Sequence, residues 1–369
     1  MRTNGAAQPT AGARPAAAPV IASSTAAVAP SARVTMAHGG GGRAMRGLIE
    51  RIILPAFHNP LLASLEDQAR LPMAELAALG DRLAFTTDTY VVTPIEFPGG
   101  DIGKLAVCGT VNDLAVCGAR PLFLSCGLVL EEGLEMSELT KVANSMGRAA
   151  REAGVVIVTG DTKVVERGAA DRVFINTAGI GVLPPGLNIA ATRAQAGDAV
   201  IVNGNLGDHG IAILLARNQL ALAAEVFSDC QPLYSLVTAM RAVCPDIHCL
   251  RDATRGGIAT VLNEFAVSSN VGIRLREAAL PLNETVRGAC ELLGLDPLYL
   301  ANEGKLVAIV PGAHADAVVA AMRAHPAGRG AAMVGEVCAQ PAGNVILSTA
   351  IGGDRVVDML VGEQLPRIC

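Results

Sequence analysis

The sequence predicts a two-domain α+β (mixed α/β) protein with a mobile C-terminal tail, and three observations carry that expectation. At 369 residues the chain is longer than one compact core ordinarily serves. Helix-period and strand-period segments fill both sides of the break Pro184-Pro185-Gly186, without a strict strand–helix–strand rhythm. The closing run Gln364-Leu365-Pro366-Arg367-Ile368-Cys369 has no apolar segment to fold with. The expected divisions are a disordered leader over 1–33, a first domain over 34–186, a second over 187–353 and a mobile tail over 354–369.

Residues 1–33 are rich in Ala, Pro, Ser and Thr, and no acidic residue precedes Glu50, so this stretch cannot bury a core. It reads as a dispensable extension, or as a start placed ahead of Met36, rather than as a targeting peptide. Arg43 to Phe57 carries Met45, Leu48, Ile49, Ile52 and Ile53 on one helical side. Leu83 to Val92 alternates as a strand, Ile102 to Cys117 has a helical pattern, and Leu122 to Leu130 is an apolar strand. A helix over Met136 to Ala153 opens at Ser137, with Glu138 in its first turn. Strands follow at Val155 to Thr159 and Val173 to Ile180. The second half offers strands at Ala199 to Val202, Leu306 to Val310, Met333 to Val337, Val345 to Thr349 and Val356 to Leu360. Its helices are expected over Gly210 to Arg217, Ile258 to Val267 and Ala313 to Arg323.

Composition narrows the function classes. There is no Trp, aromatics are 3% of residues and the net charge is −5, so neither a stacking platform nor a basic footprint points to nucleic acid. The longest apolar stretch, Ile211 to Ala224, is interrupted by Arg217, Asn218 and Gln219 and reads as an amphipathic or buried helix rather than a membrane span. Nine cysteines without a CxxC pair indicate buried thiols in a reducing cytoplasm, not a disulfide framework. Cys244-Pro-Asp-Ile-His248-Cys249 reads as a helix end leading into a buried strand rather than a metal site.

Several polar clusters could carry chemistry. His38 followed by Gly39, Gly40, Gly41 and Gly42 leaves backbone amides free to face an anion ahead of a helix, or serves as a hinge. Asp88, Asp101, Asp113 and Asp161 occupy Gly/Thr-rich breaks, where recurrence suggests hard oxygen ligands for Mg²⁺ on nucleotide phosphates. Lys104 and Lys163 stand close to two of them and could screen phosphate charge. Gly99 to Leu105 is one residue short of a phosphate loop between its glycines and lacks its Ser/Thr ligand. Gly204 to Gly210 and Arg251 to Gly257 each join a strand to a helix, as anion nests or plain turns, and Ala301 to Lys305 precedes a strand, with Glu303 there a candidate general base. A Cys behind a Pro on an arm of sixteen residues from Asp354 can reach roughly 50 Å at ~3.3 Å per residue, suiting it to carry a group between two proteins.

Together AHGGGG, FPGGDIGKLAVCGTVNDLAVCGARPLFLS, TGDTKVVERG, GDHG, TRGG, LDPLYLANEGKL and the closing LPRIC resemble the HypE family of carbamoyl dehydratases, in the PurM-like (aminoimidazole ribonucleotide synthetase-like) superfamily. VNDLAVCGARPLF points only to the superfamily, whereas LPRIC selects the family. The resemblance implies [NiFe]-hydrogenase maturation. A carbamoyltransferase, HypF, loads Cys369, the tail enters the chain's own cleft, and ATP drives dehydration to a cyano group delivered to the HypC–HypD iron scaffold. It further implies Asp88, Asp113 and Asp161 as Mg²⁺ ligands, and Lys163 beside the phosphates with Glu303 as base. His38, Gly39 to Gly42, Lys104, Asn112 and Asp161 would hold ATP, and a homodimer is expected by analogy. Ala253 stands where the family usually has Pro, which touches turn stiffness more than chemistry. The competing expectations are another PurM-like enzyme of selenophosphate or thiamine-phosphate type, and a non-catalytic thiol carrier. Selenophosphate synthetases keep a reactive Cys near the N-terminus, whereas the first Cys here is Cys108.

Overall fold

The computed structural model describes residues 32–217, 225–362, 365 and 367–369. The first half contains α1 (Arg43–Leu48), a π-helical turn (Ile49–Ile53), α2 (Leu54–Phe57), α3 (Met73–Ala77), β1 (Arg82–Tyr90), β2 (Glu96–Phe97), β3 (Gly100–Asp101), α4 (Ile102–Val116), β4 (Arg120–Glu131), α5 (Met136–Ala153), β5 (Val156–Val165) and β6 (Val173–Leu183). The second contains β7 (Asp198–Val202), α6 (Asp208–Ala216), α7 (Tyr234–Val243), β8 (Cys249–Asp252), α8 (Gly257–Ser269), β9 (Gly272–Arg276), α9 (Glu284–Leu293), β10 (Leu306–Pro311), α10 (Ala315–Ala324), β11 (Ala332–Cys338), β12 (Val345–Ser348) and β13 (Asp354–Val357).

Two sheets organise these elements. The first runs β1-β6-β4-β5, with β4 and β5 parallel and the other pairs antiparallel. The second runs β13-β12-β9-β11-β7-β10-β8. Thr86 on β1 and Thr177 on β6 both bond to α4, at Asp113 and the Ala106 carbonyl, which identifies the face of the first sheet turned to the helices. By strand alternation Leu83 and Phe85 project from the other face, where Phe85 is 72% exposed.

Helix α4 is the element both halves share. Apolar or small residues occur all round it, and thirteen of its fifteen residues are buried, as a helix without a polar face must be. Leu105, Val107 and Val111 pack with the first sheet and α5, while Ala115 and Val116 belong to a cluster with Ile201, Leu236 and Leu250 of the second half. Asp101 caps it by accepting from the amides of Gly103 and Lys104 and from the Ser145 hydroxyl. Gly109 is required here, because a Cβ would lie 2.2 Å from the Tyr90 hydroxyl.

Several expectations change. Ala32 and Arg33, assigned to the leader, are pinned to the segment before α5: the Ala32 carbonyl accepts from Met136 N and Arg33 bridges Glu135. Residues 1–31 of that leader, and the part of the Ile211 to Ala224 helix beyond Arg217, lie outside the described residues. Asp354 to Val357, assigned to the tail, form the edge strand β13 because Val357 finds a buried place beside Val345. The acidic "breaks" are mostly regular structure: Asp88 lies within β1, Asp161 within β5 and Asp113 inside α4, with Asp101 alone at an element boundary as a cap. Among the described residues, no helix is long and apolar enough to cross a membrane.

If α4 unites the halves, Leu105→Ala should destabilise the protein by about 3 kcal/mol, the usual cost of such a cavity. Urea unfolding monitored in each half should show both transitions moving together; a shift confined to one would contradict a shared core.

Candidate active site

The end of the tail is seated against the first domain. Val91 N donates to the Cys369 main-chain oxygen at 3.2 Å, and Thr93 N to the Arg367 carbonyl at 3.3 Å, so two main-chain bonds hold the tail just beyond β1. Ile368 is buried in the first-domain core, with Leu365 and Cys369 packed at its margin. The intervening Ile368 carbonyl turns to the buried His209 at the start of α6, 2.7 Å from Nε2. Arg217 grips both segments, with Nε 2.6 Å from the Thr93 carbonyl and Nη2 on the Arg367 carbonyl. Arg367 itself pairs with Asp171 at 2.7 Å.

Glu303 stands in the loop before β10, 3% exposed, and its Oε1 has no hydrogen-bond partner among the described residues. Its backbone is held tightly. Asp229 accepts from Glu303 N at 3.0 Å, Gly304 N at 3.1 Å and Lys305 Nζ at 2.9 Å. A Cβ at Gly304 would lie 1.9 Å from the Asp229 carbonyl, so only glycine permits this approach. Burial opposes charge on Asp229, but the Lys305 ammonium, by its charge and its hydrogen bond, and the Glu303 amide outweigh it and keep its carboxyl below the usual value. Burial, with Asp229, Asp252 and Asp88 nearby, drives the Glu303 carboxyl well above its ordinary value and favours its protonated form.

Three carboxylates crowd the junction of the halves. Asp113 on α4 accepts from Thr86 at 2.7 Å and is raised by burial and by Asp88. Asp252 at the end of β8 is pushed up to about 7 by burial, Asp113 and Asp88. A cavity of about 450 Å³ beside Asp113 and Asp252 is also lined by Phe85, Thr86 and Arg251. Among the described residues no three His, Cys, Asp or Glu side chains close on one point as a metal cage. One or two carboxylates completed by phosphate oxygens would suit Mg²⁺, which is often held that way.

The remaining expected residues lie elsewhere. Asp161 and Lys163 pair with each other at 2.6 Å on β5, the opposite edge of the sheet from β1. Their register partners Gly127 and Val129 place them on the face away from α4, about 14 Å or more from Asp88 at three strand spacings. Asp88 and Asp161 therefore cannot share one ion within a chain, which narrows the division of Asp88, Asp113 and Asp161 among metal ions that the sequence left open. His38 Nδ1 is occupied locally with Thr35, and Gly39 packs against Val164, so the glycine run flanks β5 rather than β1. Beside it a second cavity of about 450 Å³ is lined by Ile49, Ile53, Phe57, Leu128, Val158 and Asp161. Lys104 closes its own loop on the Gly99 carbonyl at 3.0 Å. Asn112, expected at the nucleotide, spends its amide on the carbonyls of Gln231 and Glu303 and on Leu233 N, so it positions the Glu303 loop.

Sequence reasoning missed Asp229 and Arg217 and left His209 and Asp252 as turn residues. GDHG and RDATRGG were signals for the last two; the isolated FSDCQ around Asp229 offers none.

Comparisons with known proteins bear on this arrangement. The model of the AIR synthase related protein N-terminal domain matches residues 66–183, and that of the C-terminal domain matches 195–348. The chain is 60% identical over 337 residues to the carbamoyl dehydratase HypE of Rhodobacter capsulatus, covering 91% of this chain and 98% of that one. A crystal structure of the hydrogenase maturation protein HypE in complex with ATP matches with a TM-score of 0.85 at 52% identity, over 90% of this chain and 99% of the other. A HypE–HypF complex matches with a TM-score of 0.73 at 44% identity, over 86% and 100%.

The crowded carboxylates predict a pH response. A carboxyl held protonated to about pH 7 in the folded state, against 3.8 unfolded, binds the proton more tightly when folded. Its contribution is present at low pH and lost as pH rises from about 4 through about 7. In EDTA, Asp252→Asn should thus gain stability relative to wild type between pH 5 and pH 8, read from urea midpoints. Equal differences at both pH values would remove Asp252 as the source.

Proposed function

Because this chain belongs to the HypE family of carbamoyl dehydratases, within the AIR synthase related proteins, we propose that it converts an S-carbamoyl group on its own Cys369 into S-cyanocysteine using ATP, in [NiFe]-hydrogenase maturation. The observation that carries this reading is the docked tail: Ile368 and Cys369 pack with the first-domain core, and the His209 that meets the Ile368 carbonyl lies close to Asp229, which holds the main chain of Glu303. The 60% identity to a carbamoyl dehydratase, over nearly its whole length, leaves selenophosphate and thiamine-phosphate readings without support.

The chemistry balances as follows. The carboxamide oxygen attacks the γ-phosphorus of ATP as one N–H proton leaves, giving an O-phosphorylated imidate and ADP. Loss of the second N–H proton expels phosphate and leaves S–C≡N. An amide oxygen is a weak nucleophile, so orientation and charge screening must supply most of the acceleration. The tail pairing orients the acceptor. Glu303 is the proposed base, and it must first lose the proton that its acidic neighbours stabilise. Charge brought to Asp88 and Asp252 from outside relieves that repulsion and favours the ionised form. Bound Mg²⁺ would screen the phosphates, with Asp88 and Asp113 as its protein ligands.

His38, Gly39 to Gly42, Asp161 and Lys163 are proposed for a nucleotide reached across a subunit boundary. The first sheet's uncovered face, with Leu83 and Phe85, suits a second copy of the chain, and a site using both Asp88 and Asp161 would draw them from two copies. HypF is the proposed carbamoyl donor and a HypC–HypD complex the cyanide acceptor, in the cytoplasm.

Carbamoyl-loaded protein incubated with MgATP should lose the mass of one water from its C-terminal peptide, with the loss requiring ATP and abolished by Cys369→Ala. An unchanged adduct would leave only a thiol carrier. Glu303→Gln should slow the loss at least 100-fold while nucleotide affinity, measured by calorimetry, stays within about threefold. A similar rate in Glu303→Gln would remove Glu303 as base.

A further inference from the structure

An arm that visits two proteins needs a seat that holds it in register yet lets it go. We propose that His209, backed by Ser228, and Arg217 are the positioning residues of that seat, reading the main chain of Arg367 and Ile368. This deepens the carrier reading of Cys369, but it rests on geometry that can be tested without any turnover.

Arg367 takes a left-handed backbone conformation, φ 53°, so the tail bends here. The Arg367 and Cys369 main-chain oxygens accept from Thr93 N and Val91 N, whereas the carbonyl of the buried Ile368 turns elsewhere and needs a donor of its own. His209 supplies it at 2.7 Å. Burial lowers the His209 value, so the ring is neutral and carries a single N–H. A carbonyl can only accept, which places that proton on Nε2; Nδ1 then accepts from the Ser228 hydroxyl at 2.8 Å. The tautomer is thus set by two partners.

The support behind the ring is stiff. Ser228 N donates to the Pro98 carbonyl at 2.8 Å, and the Ser228 hydroxyl also accepts from Cys230 N at 3.2 Å. A Cβ at Gly99 would lie 2.7 Å from Ser228 backbone atoms, and the Phe97 ring meets the imidazole edge-on at 5.5 Å. Arg217 adds the clasp, since one guanidinium bonds the carbonyls of Thr93 and Arg367 on the two paired segments. Ile368 fills the apolar slot, and the polar groups around it set which residue occupies that slot.

Trypsin tests the seat directly, because opening exposes the Arg367–Ile368 bond and the cleavage rate follows the open population. On the full chain, release of the last two residues is followed by mass spectrometry. His209→Leu should accelerate release about five- to tenfold, the worth of one hydrogen bond, with His209→Gln between Leu and wild type because it keeps a donor. Ser228→Ala should give about two- to fivefold. ATP affinity should stay within twofold in all of them, while the rate of dehydration of loaded Cys369 falls without a rise in KM for ATP. Unchanged protection in a folded His209→Leu protein, or equal release from the Leu and Gln variants, would overturn the proposal. If His209→Leu does not fold, unchanged protection in Ser228→Ala overturns it instead. Failure of dehydration in the wild type would refute the carrier reading while leaving the trypsin result intact.

Discussion

The buried pair of Asp229 and Lys305, 2.9 Å apart with side chains 5% and 6% exposed, ties together everything that surrounds the tail. Two charges removed from water are tolerable only when further donors saturate the carboxylate, and the amides of Glu303 and Gly304 do so here. The pair thereby sets the main chain beneath Glu303. It also anchors the segment that continues through Cys230 to Leu233, where Asn112 takes over. Ser228, one residue before Asp229, then orients His209. A single electrostatic constraint therefore places the candidate base and the tail receptor with respect to each other.

Around that fixed point the acidic side chains are held in an unfavourable arrangement. Asp113, Asp252 and Glu303 come from a helix, a strand and a loop, and each is raised first by burial and then by acidic neighbours, among them Asp88 on β1. Folding alone gains nothing from such crowding, and strain of this kind commonly marks a site that a charged ligand completes. Burial and this crowding together hold the Glu303 carboxyl toward its protonated form. Its conversion to a base is coupled to whatever positive charge enters beside Asp88 and Asp252.

Much of this could be read in advance, for reasons specific to particular segments. The helix over Ile102 to Cys117 was legible because thirteen of its residues needed burial, and β10 because Leu306 to Val310 is apolar throughout. Glu303 was legible because a carboxyl flanked by Asn302 and Gly304 in an apolar stretch is out of place. The loop contacts of Asn112 were not legible, because an amide looks the same in sequence whether it binds a ligand or a loop. The strand β9 and the helix α9 carry short or mixed patterns whose identity depends on packing partners.

The linear sequence by itself determined which groups are present: a thiol on an arm, a glycine run, recurrent aspartates, and enough apolar residues for two domains. Local periodicity and turn chemistry act over a few residues, so they are visible without a fold. Tertiary structure decided which groups meet. Asp88 and Asp161 are equivalent in the sequence, yet sheet order puts them on opposite edges and opposite faces. His209 and Ile368 are 159 positions apart, and only the pairing of residues 367–369 with 91–93 turns the Ile368 carbonyl toward that imidazole. Distances set by strand order and by burial of a shared helix are not encoded in any single window, which is why they had to be seen.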